Sequence, residues 1–137
     1  MKKEKTFGMV KPESFEHFQD IIHYIVNHGL EVKISKEFTM DRSFTKTFYG
    51  EHKEKPFFEG LVDQMTAGPV FAMCIEGIDA IKTYRKMMGC TDPEKAEKGT
   101  IRQLFGSKLP FNAVHGSDSL ESANRELNMF FGIRNKV

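Results

Sequence analysis

Apolar and polar positions follow two rhythms along this chain, and the changes between them mark out strands and helices. Thr6-Phe7-Gly8-Met9-Val10 is a short apolar run, expected as a buried strand that leads into Lys11-Pro12. Phe15 to His28 places apolar residues at 15, 18, 21, 22 and 25, a helical spacing with one core face, and Gly29 is placed to stop it. Leu30 to Thr39 alternates loosely through Leu30, Val32, Ile34 and Phe38, a second strand with one face buried. Asp41 opens a short helical stretch through Phe44 and Phe48 to Tyr49, and Pro56 sets up another over Phe57 to Met65. Val70 to Glu76 is apolar almost throughout and is expected as a central strand. Gly77 follows it, and Ile78 to Met88 reads as a helix with Ile78, Ile81 and Met88 among its inward candidates. Between Gly89 and Lys108 the rhythm lapses into a long excursion with at most short helical turns. A last apolar run ends at His115, and Leu120 to Phe131 returns to an amphipathic helix. This succession of strands and helices fits an α/β sandwich with one main sheet.

Composition narrows the class. A length of 137 residues fits one domain, large enough to bury a core without disulfides. Lys and Arg number 20 against 19 Asp and Glu, so the net charge of +1 gives no overall field for nucleic acid, and any attraction for polyanions is local. Cys74 and Cys90 form neither a disulfide framework nor a metal-ligand spacing. No signal peptide and no apolar stretch of about 18 residues appears, so the expectation is a soluble, cytoplasmic protein without a membrane partner.

The chemistry gathers at Asn112-Ala113-Val114-His115-Gly116-Ser117-Asp118-Ser119. The imidazole is presented where a strand gives way to a loop; Gly116 is expected to turn the backbone and leave space beside the ring, and Ser119 to cap the next helix without a capping-box partner at Ser122. An unperturbed imidazole titrates at about 6.5, so near pH 7 its neutral form is nucleophilic and can accept a phosphoryl group from one donor and pass it to another. A lone histidine at a strand end is more often structural, so His115 needs company. Lys11, at the end of the first strand, can meet a phosphate or simply mark a solvated strand terminus. Phe57 and Phe58 cannot both face one core from a helix, which leaves one as a candidate exposed aromatic platform. Arg85, Thr91 and Arg102 in and beside the long excursion could collect an anionic group, the alternative being solvated charges on a loop. His17, His23 and His28 have no carboxylate or cysteine cluster and read as surface residues.

These residues also carry a resemblance. Lys11-Pro12, Tyr49, His52, Lys55-Pro56-Phe57-Phe58, Gly60-Leu61, Gly68-Pro69-Val70, Gly99-Thr100-Ile101-Arg102 and Asn112-x-x-His115-Gly116-Ser117-Asp118-Ser119 stand in the order and near-spacing of nucleoside diphosphate kinases, from Thr6 to about Phe131. The resemblance implies a ferredoxin-like α/β (α+β) sandwich, a four-stranded antiparallel sheet covered by helices, and a single domain over 1–137. It implies transfer of the γ-phosphate of a nucleoside triphosphate to a diphosphate by a ping-pong mechanism with a phosphohistidine intermediate. It further implies a homo-oligomer, tetramer or hexamer, and Mg2+ carried by nucleotide phosphates with no protein ligand set. Position by position, His115 resembles the nucleophile and Glu126 the carboxylate on its other ring nitrogen, with Ser117 beside that carboxylate. Lys11 resembles the lysine that contacts the sugar 3′-hydroxyl and the moving phosphate, Asn112 the partner of the sugar hydroxyl, and Tyr49 the phenol near the histidine. Arg85, Thr91 and Arg102 resemble the phosphate-binding set, Phe57 the aromatic on which the base stacks, and Leu61 and Leu109 the lining of that slot.

The chain departs from the family pattern at Glu13-Ser14, where Asp-Gly and a slightly longer connection are usual, and at Lys98, Gln103-Leu104 and Pro110-Phe111. These positions bear on subunit contacts rather than on chemistry, and Leu104 and Phe111 are expected to pack together in place of a charged pair. A non-catalytic nucleotide-binding or scaffold member of the same fold would lose the nucleophile or its carboxylate, whereas His115 and Glu126 are both present.

Overall fold

The computed structural model describes residues 3–50 and 54–136; His52, one of the motif positions, lies outside them. Strands β1 (Lys3–Val10), β2 (Glu31–Phe38), β3 (Val70–Ile78) and β4 (Val114–Gly116) form one sheet in the order β2-β3-β1-β4. All three pairings are antiparallel, with Phe7 opposite Cys74, Gly8 opposite Gly116 and Met9 opposite His115. The helices are α1 (Phe18–Asn27), α2 (Arg42–Phe48), α3 (Phe58–Met65), α4 (Ala80–Met88), α5 (Ile101–Phe105) and α6 (Leu120–Phe131), with 3-10 turns at Pro12–His17 and Pro93–Lys95. This is the four-stranded antiparallel sheet covered by helices that the resemblance implies, and the one main sheet that the hydrophobic pattern predicts.

The sheet is buried on both faces, which explains the unbroken apolar run of β3. Its alternate residues Phe71, Met73 and Ile75 join Ile21 and Ile25 of α1 and Tyr84 and Met88 of α4 in one cluster. Val70, Ala72 and Cys74 face the other way, against Phe48 of α2, Val62 and Met65 of α3, and Leu127 and Phe130 of α6. Among the described residues no helix is long and apolar enough to cross a membrane.

Three expectations need correction. β2 is an end strand whose residues are exposed apart from the half-buried Val32 and Phe38, so its loose alternation does not bury one face in a single chain. β3 runs on to Ile78, which is exposed rather than inward, and α4 starts only after Asp79 turns the chain at φ +47°. Leu104 and Phe111 are 52% and 44% exposed and join neither apolar cluster, so neither side chain adds to the core of the chain.

Candidate active site

β4 is three residues long and the site is assembled around it. His115 sits in its middle, facing the α6 side of the sheet, with its ring packed against Phe48 at 5.2 Å, Tyr49 at 5.9 Å and Phe7 at 6.0 Å between centroids. Its side chain keeps 19% exposure, so the ring is held without being sealed off. Ser119 caps α6 by accepting from the Ser122 N–H at 3.1 Å, which fixes the first turn and so the height of Glu126 one face along. Glu126 Oε1 lies 2.9 Å from His115 Nε2 and accepts from Ser117 Oγ at 2.7 Å. Burial works against the Glu126 carboxylate, yet His115, Ser117 and Arg125 together hold its pKa below the ordinary value, so it is ionised at neutral pH. An ionised partner at Nε2 requires the proton there, which leaves the Nδ1 lone pair available.

The cations are tied to the same strand. Arg102 is buried; its Nη2 donates to Val114 O at 3.0 Å and its Nη1 to Gly89 O at 3.2 Å, while its Nε is buried with no partner among the described residues. It is therefore not a solvated charge on a loop. Thr100 caps the short α5 that carries it, and burial lowers the guanidinium pKa from its ordinary value. Arg85 is exposed and reaches Gly116 O at 3.4 Å from α4, beside a hollow of about 610 Å³ that also takes in Gly89, Cys90 and Thr100. Lys11 directly follows β1 and is buried, donating from Nζ to Asn112 Oδ1 at 2.7 Å, and Asn112 Nδ2 donates to the carbonyl of the exposed Thr91 at 3.0 Å. Burial pulls the Lys11 pKa from 10.5 to about 8, with Glu13 opposing the shift and Arg102 adding to it.

Between Asn112 and His115 the chain makes a tight turn. Ala113 is fully buried with φ +71°, and the Val114 N–H donates back to Asn112 O at 2.8 Å. For a residue with a Cβ that left-handed conformation costs roughly 1–2 kcal/mol, so its surroundings must hold it. Lys11 N–H does part of this, donating to Ala113 O at 2.8 Å, and Glu13 Oε2 accepts from Ala113 N–H at 3.2 Å. Glu13 was not among the expected site residues, because nothing local distinguishes it from any acidic residue in a first turn.

Lys11, Arg85, Thr91, Arg102, Asn112, His115, Ser117 and Glu126 are thus brought together, with the buried Tyr49 ring against the imidazole. The apolar positions are on the α3 side. Phe58 is buried and Phe57 is 55% exposed, which separates the adjacent pair as the pattern requires. Leu61 follows one turn later, its N–H donating to Phe57 O at 3.0 Å, and Lys55 Nζ lies 5.8 Å from the Phe57 ring centroid. Leu109 is exposed, and the next residue's carbonyl, Pro110 O, accepts from Gln64 of α3 at 3.1 Å. Gly116 departs from expectation: its backbone is extended, and the room its missing side chain leaves is filled by Met88 and Tyr84 rather than left open beside the imidazole. Of the two thiols, Cys74 is buried in β3 with its pKa pushed up to about 11 by burial, and Cys90 is exposed after α4.

Residues 4–135 match the family model described as nucleoside diphosphate kinase. The chain belongs to the nucleoside diphosphate kinase family. It is 45% identical over 131 residues to the nucleoside diphosphate kinase of Methanosphaera stadtmanae, covering 94% of this chain and 86% of that one. With that of Deinococcus radiodurans it shares 47% identity over 94% and 95% of the two chains. The crystal structure of the Aquifex aeolicus nucleoside diphosphate kinase superposes with a TM-score of 0.92 at 39% identity, covering 95% of this chain and 96% of that one. A halophilic nucleoside diphosphate kinase from Halobacterium salinarum, solved in complex with CDP, superposes at 0.91 with 40% identity over 96% and 90%. The four-stranded sheet described above is therefore the fold of the nucleoside diphosphate kinases.

Proposed function

We propose that this chain, as one domain over 1–137, transfers the γ-phosphate of a nucleoside triphosphate to a nucleoside diphosphate through a phosphohistidine on His115. The observation that carries the reading is the Nε2 contact with Glu126, which leaves Nδ1 as the nucleophile. In the first half, the Nδ1 lone pair attacks the γ-phosphorus, the bond to the β–γ bridging oxygen breaks, and the diphosphate departs with that electron pair. In the second, a terminal β-phosphate oxygen of the acceptor attacks the phosphorus, the N–P bond breaks, and the ring returns to its starting state. Glu126 stabilises the positive charge that the ring gains on bonding phosphorus, and Ser117 holds Glu126. Catalysis of a loose phosphoryl transition state is mostly positioning and charge compensation, which suits a site of fixed cations.

Lys11 is assigned to the sugar 3′-hydroxyl and the moving phosphate, Asn112 to the sugar, Tyr49 to the side of the transferring group, and Arg85, Thr91 and Arg102 to the remaining phosphates. Phe57 offers its exposed face to the base, with Leu61 and Leu109 beside it, and stacking tolerates every base. The donor chemistry fits magnesium carried by the substrate: Lys11, Arg85 and Arg102 and the amide of Asn112 suit phosphate and sugar oxygens, and those phosphate oxygens would hold the ion. Bound on the phosphates, magnesium would add neutralisation of their charge. The exposed end strand β2, with Ile34 44% exposed, supports a homo-oligomer, tetramer or hexamer, which a light-scattering mass tests. The free thiols of Cys74 and Cys90 support a reducing, cytoplasmic setting.

Incubation with γ-labelled ATP tests the reaction. Label that is acid-labile and base-stable, that chases onto added diphosphate, and that is absent from His115→Ala is the expected result; no label on the wild-type chain would refute it. A scaffold member of the family would bind nucleotide and acquire no label.

A further inference from the structure

The structure assigns Glu13 and Gln64 as positioning residues that clamp the left-handed turn at Ala113 and so set the register of His115 against the phosphate-binding groups. This rests on the transfer reading above and concerns two side chains that reading does not use. The β1–β4 ladder begins with Val10 opposite Val114, so the Ala113 N–H lies outside it and needs another acceptor. Glu13 supplies that acceptor: Oε2 takes the Ala113 N–H at 3.2 Å, and Oε1 takes Gln64 Nε2 at 3.1 Å. The same Gln64 nitrogen donates to Pro110 O at 3.1 Å, so one amide joins α3, the turn after Lys11 and the stretch leading into β4. The link spans 51 residues from Glu13 to Gln64 and 100 from Glu13 to Ala113.

The geometry makes the clamp relevant to chemistry. Ala113 is flanked by Asn112, whose Oδ1 holds Lys11 Nζ at 2.7 Å, and by Val114, whose carbonyl holds Arg102 Nη2 at 3.0 Å. A turn in this sparsely populated conformation relaxes once its restraints are removed. Rotation at Ala113 would swing Asn112 off Lys11 and shift His115 along β1, away from Glu126 on α6. A carboxylate accepts a stronger hydrogen bond than a neutral amide oxygen, and Glu13 also faces Lys11, favouring its charged form. Because Glu13 and Gln64 act through the backbone of β4, their loss should slow transfer more than it weakens nucleotide binding.

Glu13→Ala, Glu13→Gln, Gln64→Leu and the Glu13→Ala/Gln64→Leu double variant, each in the full chain, test this. Glu13→Ala is expected to slow phosphoryl uptake by His115 at saturating ATP by about tenfold or more, with KM changed by less than about threefold. Glu13→Gln keeps an oxygen for the Ala113 N–H but turns a donor nitrogen towards Gln64, so it is expected to recover part of that loss, and the double variant is expected to be within about twofold of Glu13→Ala, because one clamp is lost once. Amide hydrogen exchange at Ala113 reads the clamp without catalysis, and its protection is expected to fall in Glu13→Ala. Wild-type turnover in Glu13→Ala, no recovery in Glu13→Gln, or unchanged exchange at Ala113 would overturn the proposal. Should Glu13→Ala fail to fold, Glu13→Gln and Gln64→Leu decide it by the same two readouts. A wild-type chain that takes up no label would refute the transfer reading alone, and exchange at Ala113 would still decide the clamp.

Discussion

Gly8 and Gly116 face one another across the β1–β4 ladder, and the Tyr84 ring lies against both. A Cβ at Gly116 would sit 2.8 Å from Tyr84 Cε2 and 2.6 Å from Met88 Cε; at Gly8 it would meet Ile75 Cδ1 at 2.6 Å and Tyr84 Cε2 at 3.1 Å. Tyr84 is fully buried, and its hydroxyl points at His115 O, 3.5 Å away. The two missing side chains therefore let a ring from α4 seat directly beneath the strand that carries the imidazole. Gly116→Ala is expected to destabilise the fold by about 1–3 kcal/mol through overpacking and to lower transfer by moving β4. Gly8→Ala is expected to cost less, since the rigid Tyr84 ring stands 3.1 Å from the added Cβ there, against 2.8 Å at Gly116. Thermal melts and steady-state rates on the two variants check the order.

Glu126→Gln keeps the shape of the side chain and removes its charge. Transfer is expected to fall about 10- to 100-fold without vanishing, because the ring keeps its aromatic packing but loses its ionised partner. Since the fold holds this carboxyl below its ordinary 4.5, the ionised form adds stability above that value, and the contribution is lost as pH falls through the lower folded value. Acid unfolding of Glu126→Gln should accordingly show a shallower pH dependence than that of the wild type. Unchanged rates and an unchanged acid limb would refute the assignment.

Lys11 stands at odds with stability. Its pKa is lowered from 10.5 to about 8, so between those values the unfolded chain binds a proton that the folded chain lacks, and stability rises with pH across that window. Below about 8 the buried ammonium costs roughly 3 kcal/mol. Lys11→Met removes that cost and leaves the Asn112 oxygen without its donor, a penalty of about 1–3 kcal/mol, so at pH 7 the variant is expected to be at least as stable as the wild type while losing transfer. In the wild type, kcat/KM is expected to fall as pH rises through about 8, when the amine of the free chain discharges. Melts at pH 7 and a pH–rate profile check both statements.

Phe57→Ala removes a ring that is 55% exposed, so the fold is expected to tolerate it. Nucleotide KM is expected to rise by the equivalent of about 1–3 kcal/mol, to a similar degree for purine and pyrimidine substrates. A loss confined to one base would contradict stacking as the means of recognition.

What the sequence discloses depends on how local the cause is. The β3 run is apolar because both its faces are covered, and that pattern is visible without knowing what covers them. The cap of α6 is equally local, Ser119 acting on Ser122. β2 misleads because alternation shows which residues could be buried, while its place at the end of the sheet decides that most are not. Gly116 misleads for a related reason: a glycine suggests a turn, but here it answers to Tyr84 and Met88, which belong to another helix. The proposed nucleophile His115, its carboxylate Glu126 and the cations Lys11, Arg85 and Arg102 are legible only through the family resemblance, since they lie far apart in the chain and the fold ties them to one short strand. Glu13 and Gln64 are not, since their meaning lies in partners brought close only by the fold.

The unequal burial of the two thiols gives the chain a ready attachment point for a fluorophore. Maleimides add to thiolate, so near neutral pH a dye should couple at the exposed Cys90 and pass over Cys74, whose proton is held to about pH 11 inside the sheet. Cys90 directly follows Gly89, whose carbonyl receives Arg102 Nη1. A label there would report nucleotide arrival as a change in emission, in the natural sequence and without an engineered cysteine.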